Sequence, residues 1–333
     1  MIRTHVITAE EADQRLDRWF RKRFPEVTQG RLERMLRTGQ IRVDGKRAKS
    51  NFRLEEGQRL RIPPLEQSVQ TRPSTRRTPP PVSAEEAADL RARILYRDDW
   101  IIALDKPAGL AVQGGSGTSR HLDGMLDVLQ DDADERPRLV HRLDRDTAGV
   151  LLLARTARAA RHLGASFKAD EPRKIYWALV AGVPARLRGV IDAPLGKQRM
   201  GRAEKMAPSA PETRTARTRW MKVASKGQQA SWLALRPMTG RTHQLRAHCL
   251  AMGHPILGDG KYGGRAAFPH RLSLPKQLFL LARELAVPHP EDGMTLRVQA
   301  PLPAHFQEAF TQLGFDPEDM AAEDAARWLG EKQ

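Results

Sequence analysis

The sequence predicts an α+β protein: a domain on a mixed, mainly antiparallel sheet, preceded by a small α/β module. Three observations predict it. Residues 63–81 read PPLEQSVQTRPSTRRTPPP, with six prolines among Ser, Thr and Arg. Such a composition favours extended, semi-rigid backbone over a packed core and marks a boundary. The short stretch before it combines helical apolar spacing with a hairpin signal. Beyond about residue 91, short strands outnumber helices, which argues for α+β and against a doubly wound parallel sheet.

The N-terminal module, residues 1–62, is short but foldable. Leu16, Trp19, Phe20 and Phe24 recur at helical spacing. Thr28 can cap a second helix with the apolar face Leu32, Met35 and Leu36, and Gly39 can end it. Arg31, Arg34 and Arg37 repeat every third residue on the other side as a basic stripe. IRVDGKRA then places Asp44-Gly45 between short strands, with Arg42 and Lys46 beside the turn. Gln58–Ile62 reads as a final strand. A solvated helix face explains the stripe alone, whereas stripe and basic hairpin together suit a surface that tracks phosphates.

A linker is expected over 63–90, the main domain over 91–303, and a C-terminal helix with an acidic tail over 304–333, the tail after Phe315 being a short helix or frayed. Strands are expected at Ile94–Tyr96, Trp100–Leu104, Leu139–Arg142, Gly149–Arg155, Arg173–Val180, Ala216–Val223, Ser231–Arg236, Gln277–Ala282 and Met294–Val298. Helices are expected at Thr156–Ala169, Thr242–Met252 and Ala304–Leu313. No internal repeat is visible.

Composition narrows the function. The 333 residues hold 56 Lys/Arg against 40 Asp/Glu, a net charge of +16. Residues 1–80 carry +9, residues 81–290 carry +13, and residues 291–333 carry −6. A polyanionic partner, most simply nucleic acid, fits the first two segments and not the tail. A hydrophobic content of 40% excludes a disordered chain. The lone Cys249 excludes a disulfide framework and any cysteine-rich zinc module. No apolar run approaches the roughly 20 residues of a membrane span. The start, MIRTHVITAEEADQRLDRWF, has no signal-like apolar segment, so a cytoplasmic protein is expected. No coiled-coil pattern is visible, and a monomer is expected.

Four segments can carry chemistry. VHRLDRDTAGVLLLAR sets His141, Arg142, Asp144, Arg145 and Asp146 on a charged loop between apolar segments, with Thr147 and Gly149 suited to a tight return. A carboxylate held among arginines is favoured as the anion and suits either a nucleophile or a salt-bridge loop. PMTGRTHQLRAHCLAMGHPILGDGKYGG places Gly240 in a turn and lets Thr242 cap a helix. Arg241 follows that glycine, and Arg246 lies a turn after His243. His243, His248, Cys249 and His254 fit no common zinc spacing, and structural roles suit them better. RKIYWALVAG puts Tyr176, Ala178 and Val180 on one strand face and Ile175, Trp177 and Leu179 on the other. KPAGLAVQGGSG has glycines but neither a phosphate-loop ending nor a dinucleotide fingerprint.

In this order the motifs resemble the pseudouridine synthases of the RluA type, in the RluC/RluD branch with an N-terminal S4 RNA-binding domain. HRLDRDTAGVLLLA, RKIYWALV, and TGRTHQLRAH followed by GHPILGD carry the resemblance, which spans residues 12–303. RLERMLRTGQIRVDGKRAKSNFRLEEGQRLRI is similar to the S4 domain, and KPAGLAVQGGSG to the RluC branch. The resemblance implies that Asp144 is the catalytic aspartate and that Arg142 fills the gap left by a flipped nucleotide. It further implies that Tyr176 packs on the target uracil and that Arg246 pairs with the aspartate. It implies no metal and no organic cofactor. It implies large-subunit (23S-type) ribosomal RNA as substrate. Transfer RNA is the alternative within the class, and a non-catalytic rRNA-binding or ribosome-assembly protein the alternative outside it. Two positions depart from the pattern: Ala148 where serine is usual and Leu281 where histidine is common.

Overall fold

The computed structural model describes residues 3–65, 81–114, 118, 120–200, 203–270 and 272–330. Most of the proline-rich linker and residues 115–117 of the glycine-rich segment lie outside the described residues. The chain forms two compact units, Met1–Arg76 and Arg77–Gln333.

Unit 1 contains β1 (Arg3–Val6), α1 (Leu16–Arg23), α2 (Gln29–Arg37), β2 (Arg42–Val43) and β3 (Arg59–Ile62). The strands form an antiparallel sheet in the order β1-β3-β2. Leu16, Trp19 and Phe20 of α1 and Leu32, Met35 and Leu36 of α2 close one apolar core, as their spacing requires. Thr28 caps α2, its Oγ1 accepting from the Arg31 N–H at 3.3 Å. Gly39 follows the helix at φ +72. Asp44 and Gly45 sit at φ 49 and 75, the two left-handed residues a tight hairpin turn needs. The expected second arm of that hairpin is a single antiparallel bridge, Lys46 to Val43 with both backbone bonds made, and β2 pairs with β3 on its other side. Arg34, Arg37 and Lys46 are exposed and Arg31 is half-buried. Arg42 differs from the rest, because its Nε and Nη1 donate to the Gly39 and Gly45 carbonyls and brace both turns.

Unit 2 runs α3 (Ala84–Ala92), β4 (Ile94–Arg97), β5 (Ile101–Lys106), β6 (Arg138–Leu139), β7 (Ala148–Ala154), α4 (Ala157–Lys168), β8 (Arg173–Ala181) and β9 (Arg188–Asp192). It continues through β10 (Leu195–Met200), β11 (Ala203–Ala207), β12 (Thr213–Arg214), β13 (Arg217–Lys226), β14 (Ala230–Pro237) and α5 (Gln244–Ala251). It closes with β15 (Leu280–Pro288), β16 (Thr295–Gln299), α6 (Ala304–Leu313) and α7 (Met320–Gly330). The main sheet has the order β4-β5-β7-β15-β8-β14-β13-β9, with β16 on β15 and β6 on β7. Its pairs are antiparallel except β7 with β15, so the mixed, mainly antiparallel α+β expectation is met.

Both faces of this sheet are covered, which is why AGVLLLA of β7 is apolar throughout. Val150 and Leu152 face the core shared with α4 and α6, while Leu151 and Leu153 face a second core under α3 and the helical turn Leu122–Leu129. Gly149 makes the parallel step possible. It sits at φ +108, and a Cβ there would lie 2.3 Å from the Ala282 carbonyl oxygen.

Several expectations need correction. Helix α3 takes up the end of the span assigned to the linker and runs two residues past it, started by a capping box between Ser83 and Glu86. The strand expected over Leu139–Arg142 stops at Leu139, which leaves His141 and Arg142 in a loop. The strand expected to end at Ala282 runs to Pro288, a bulge between Ala282 and Glu284 letting it bend and continue. The small sheet β11-β10-β12 was not anticipated. Of the two forms expected for the acidic tail, the short helix is found: α7 buries Ala322, Ala325 and Leu329 and lays Trp328 under Arg219, 4.2 Å from the ring centroid. Arg219 and Arg236 donate to the last carbonyls of α7, where the helix dipole favours cations.

Candidate active site

The charged loop 141–147 carries the chain into central β7. In this loop Leu143 is buried, Asp144 half-buried and Arg142 exposed. Lys106 fastens the loop from below. It is 1% exposed, and its Nζ donates to the carbonyls of Pro107, Leu110 and Arg145 at 2.8, 2.9 and 2.9 Å. Burial lowers its pKa to about 8 against the pull of Asp146, Asp144 and Asp105, so at neutral pH it is the ammonium its three acceptors call for. The Gly109 N–H adds a second bond to the Arg145 carbonyl, at 2.9 Å. The buried Thr147 donates its N–H to the Asp144 carbonyl at 3.2 Å. His141 accepts the Leu152 N–H at Nε2 (2.8 Å) and stacks on Phe167. Burial, helped by the charge of Lys174, pushes its pKa down to about 3, so the ring is neutral.

Tyr176 follows from the alternation of β8. Trp177 points to the far face, against Trp232 (ring centroids 4.6 Å) and Phe310 of α6, and Tyr176 points the other way. Burial and the Asp144 charge push the Tyr176 hydroxyl well above its ordinary pKa. It therefore stays protonated at neutral pH.

The second motif turns differently from expectation. Thr242 does not cap α5; it is exposed, and the residue before the helix is His243, in left-handed conformation at φ 52, ψ 23. Buried Gln244 does the fastening. Its Oε1 accepts from the Thr239 hydroxyl (2.7 Å) and the Arg241 N–H (3.1 Å), and its Nε2 donates to the Arg217 carbonyl and Thr218 hydroxyl. Arg241 also donates to the Thr215 carbonyl. His248 binds Thr218 and the Ala193 carbonyl, His254 binds the Ala181 carbonyl, and Cys249 is buried, all structural positions.

Arg246 does not pair with Asp144. Its Nε and Nη2 donate to Oδ2 and Oδ1 of Asp259 at 2.8 and 2.7 Å, a bidentate pair with the carboxylate 0% and the guanidinium 7% exposed. Burial opposes its charge, but the Asp259 bonds and charge, with Asp144 adding, raise its pKa above the ordinary value. The Asp144 carboxylate, 21% exposed, has its nearest described cation-forming partner in His243, Nε2 to Oδ1 3.9 Å.

These pieces line one cleft of about 300 Å³: Arg142, Asp144, Tyr176, Arg241, His243 and Arg246, with His141, Thr147, Gly240 and Thr242 at its walls. Gly149 lies outside the lining and acts through the strand step. Arg31, Arg34, Arg37, Arg42 and Lys46 belong to unit 1. Lys106, Asp259 and Tyr262 were missed in the sequence. The signals were there: a lysine in KPAG and a carboxylate and aromatic in GDGKYG, but their partners lie far along the chain.

Comparison with known proteins decides the family. Residues 100–251 match the model of the RNA pseudouridylate synthase family. The ribosomal large subunit pseudouridine synthase C of Vibrio cholerae is 36% identical over 318 residues, covering 94% of this chain and 98% of the relative. The chain belongs to the RNA pseudouridylate synthases. The Escherichia coli K12 protein of the same name is 38% identical over 301 residues, covering 89% of this chain and 92% of the relative. The solved structure of human RNA pseudouridylate synthase domain containing 4 aligns with a TM-score of 0.57 at 26% identity, over 69% of this chain and 96% of that one. The protein is thus an isomerase, a pseudouridine synthase. Its two departures from the family pattern prove to be sheet neighbours: Ala148 and Leu281 are Cα partners in the β7–β15 pair, 2% and 0% exposed. An apolar pair in this buried place leaves no side-chain polar group without a partner.

Proposed function

We propose that this pseudouridine synthase isomerises specific uridines in large-subunit ribosomal RNA, with Asp144 as its essential carboxylate. The observation that carries the reading is that Asp144, Tyr176, Arg142 and Arg246 line one cleft. The substrate reading is supported by relatives that match this chain almost end to end, the ribosomal large subunit pseudouridine synthases C.

The chemistry explains the residue types. The N1–C1′ bond of uridine breaks, the base turns, and a C5–C1′ bond forms. The C5 proton is lost and N1 gains one, so atoms are conserved. Breaking a glycosidic bond builds positive charge on the sugar, which a carboxylate stabilises or traps, as in retaining glycosidases. Asp144 is that carboxylate. Arg246, braced by Asp259, contributes positive charge toward it without a hydrogen bond. The base must first leave its stack, at a cost of a few kcal/mol. Arg142, exposed at the rim, fills the vacancy. Tyr176 holds the uracil by its ring, its hydroxyl remaining a donor. Unit 1, as an S4-like RNA-binding domain, supplies phosphate contacts through Arg31, Arg34, Arg37 and Lys46 and positions the RNA. Arg42 supports that surface by bracing its turns.

Pseudouridine mapping in both RNA classes from a strain lacking this gene tests the substrate. Loss at discrete large-subunit rRNA positions is expected. Loss only in transfer RNA would overturn the substrate, and an unchanged map in both would overturn the function.

A further inference from the structure

The loop between β14 and α5 holds one histidine in a conformation that needs a reason. The other described non-glycine residues at positive φ are Asp13, Asp44, Asp131 and Asp170. Aspartate tolerates this region because its short side chain bonds its own backbone locally. His243 has no such bond and sits there at the mouth of the cleft. Strain of this kind gathers where a side chain must be aimed.

The aim is set by Tyr262. Its hydroxyl lies 3.0 Å from His243 Nδ1 and accepts the Met206 N–H at 3.0 Å. The phenol is 5% exposed, and Nδ1 is the acceptor within reach of its proton among the described residues. A buried hydroxyl does not leave its proton unused, so Tyr262 donates to Nδ1. Nδ1 is then an acceptor, and a neutral ring carries its proton on Nε2. Nε2 is the atom that faces Asp144 Oδ1, at 3.9 Å. Burial lowers the His243 pKa first, with Arg246 and Lys261 acting in the same sense and Asp144 and Asp259 against it, and the outcome is a ring neutral at pH 7.

We propose that His243 is a positioning residue: its Nε2–H, fixed in that tautomer by the Tyr262 hydroxyl, aims the Asp144 carboxylate. At 3.9 Å the N–H is beyond hydrogen-bond length and acts on the carboxylate through its dipole, which leaves the negative charge in place. A neutral donor suits a group that must stay anionic, since an imidazolium would draw the negative charge to itself. The Met206 amide that holds the hydroxyl belongs to β11, so the small sheet carries the far end of this chain of contacts.

The inference rests on the proposed role of Asp144, and the test separates the two. Two substitutions isolate the Nε2 position. Glutamine carries a donor near where Nε2 lies. Asparagine tolerates the left-handed backbone and accepts from Tyr262, but does not reach Asp144. Single-turnover rates and RNA affinity are measured for His243→Gln, His243→Asn and Tyr262→Phe. His243→Asn is expected to lose about 10²-fold in rate with RNA affinity unchanged, the size of a misaimed group. His243→Gln is expected to recover most of that loss, and Tyr262→Phe to fall between. Nitrogen-15 NMR of histidine-labelled wild-type protein, assigned with His243→Asn, should show the Nε2–H form. An Nδ1–H ring in the wild type would overturn the inference whatever the variants do. So would His243→Asn turning over at the wild-type rate while Asp144→Asn is dead, and that result leaves the role of Asp144 intact. An active Asp144→Asn would overturn both.

Discussion

Asp259→Asn should cost the protein far more than the loss of one charge suggests. The Asp259 carboxylate accepts three donors: Arg246 Nε at 2.8 Å, Arg246 Nη2 at 2.7 Å and the Tyr262 N–H at 3.1 Å. An asparagine offers one oxygen and turns an N–H against the guanidinium. Arg246, 7% exposed on its side chain, then keeps its charge in the interior without a counter-charge. Breaking a buried pair in this way costs about 3–5 kcal/mol, and that is the expected loss for unit 2. Asp13→Asn is the control. Its pair with Arg53 has side chains 88% and 67% exposed and should be worth less than about 1 kcal/mol. Urea unfolding read by hydrogen exchange on the amides of β8 and β14 follows unit 2, and the same reading on β1 and β3 follows unit 1, which holds the control. Turnover should fall as well, because the guanidinium beside Asp144 loses its anchor. An Asp259→Asn loss below about 1 kcal/mol, or one equal to the control, would refute the burial argument.

Three further outcomes are expected. Gly149→Ala places a Cβ against the Ala282 carbonyl at a φ of +108, so it should destabilise by several kcal/mol, whereas Gly164→Ala in α4 meets nothing within 4 Å and should gain up to about 1 kcal/mol. Thermal unfolding of the two variants checks the contrast, and similar midpoints would contradict it. His141 is neutral in the fold, with its pKa lowered to about 3, while an unfolded histidine protonates near 6.5. Its contribution is therefore full above pH 6.5 and is lost as pH falls toward 3, at up to about 1.4 kcal/mol per pH unit. Urea midpoints from pH 7 to 4 should fall more steeply in wild type than in His141→Gln, and parallel lines would contradict this. Deleting residues 1–62 should weaken binding to large-subunit rRNA and flatten its salt dependence, and an unchanged slope would remove unit 1 from the phosphate-reading role.

What the sequence showed and what it hid differ by range. The loop 141–147 was legible because its parts are contiguous: a run of charges between two apolar segments, with Thr147 and Gly149 at the return. The two-residue period of β8 gave the face on which Tyr176 lies, while its role came only from the resemblance, and Thr28 followed from capping chemistry. Arg246 was found, but its partner was not, since Asp259 lies 13 residues on and beyond the helix. Lys106 reaches Arg145 across 39 residues, a distance no local pattern spans. Thr242 looked like a cap because threonine often is one, yet the αL turn at His243 gives the helix a different start. Helix α3 was legible in principle: Ser83 and Glu86 form a capping box that the prolines just before it overshadowed.

The central claim is that Asp144 carries the reaction. The direct measurement is a single-turnover assay of Asp144→Asn on large-subunit rRNA, with RNA affinity measured on the same protein. RNA binding at the wild-type affinity with no pseudouridine formed is the predicted result. Pseudouridine formation by that variant at a rate near wild type would contradict the account.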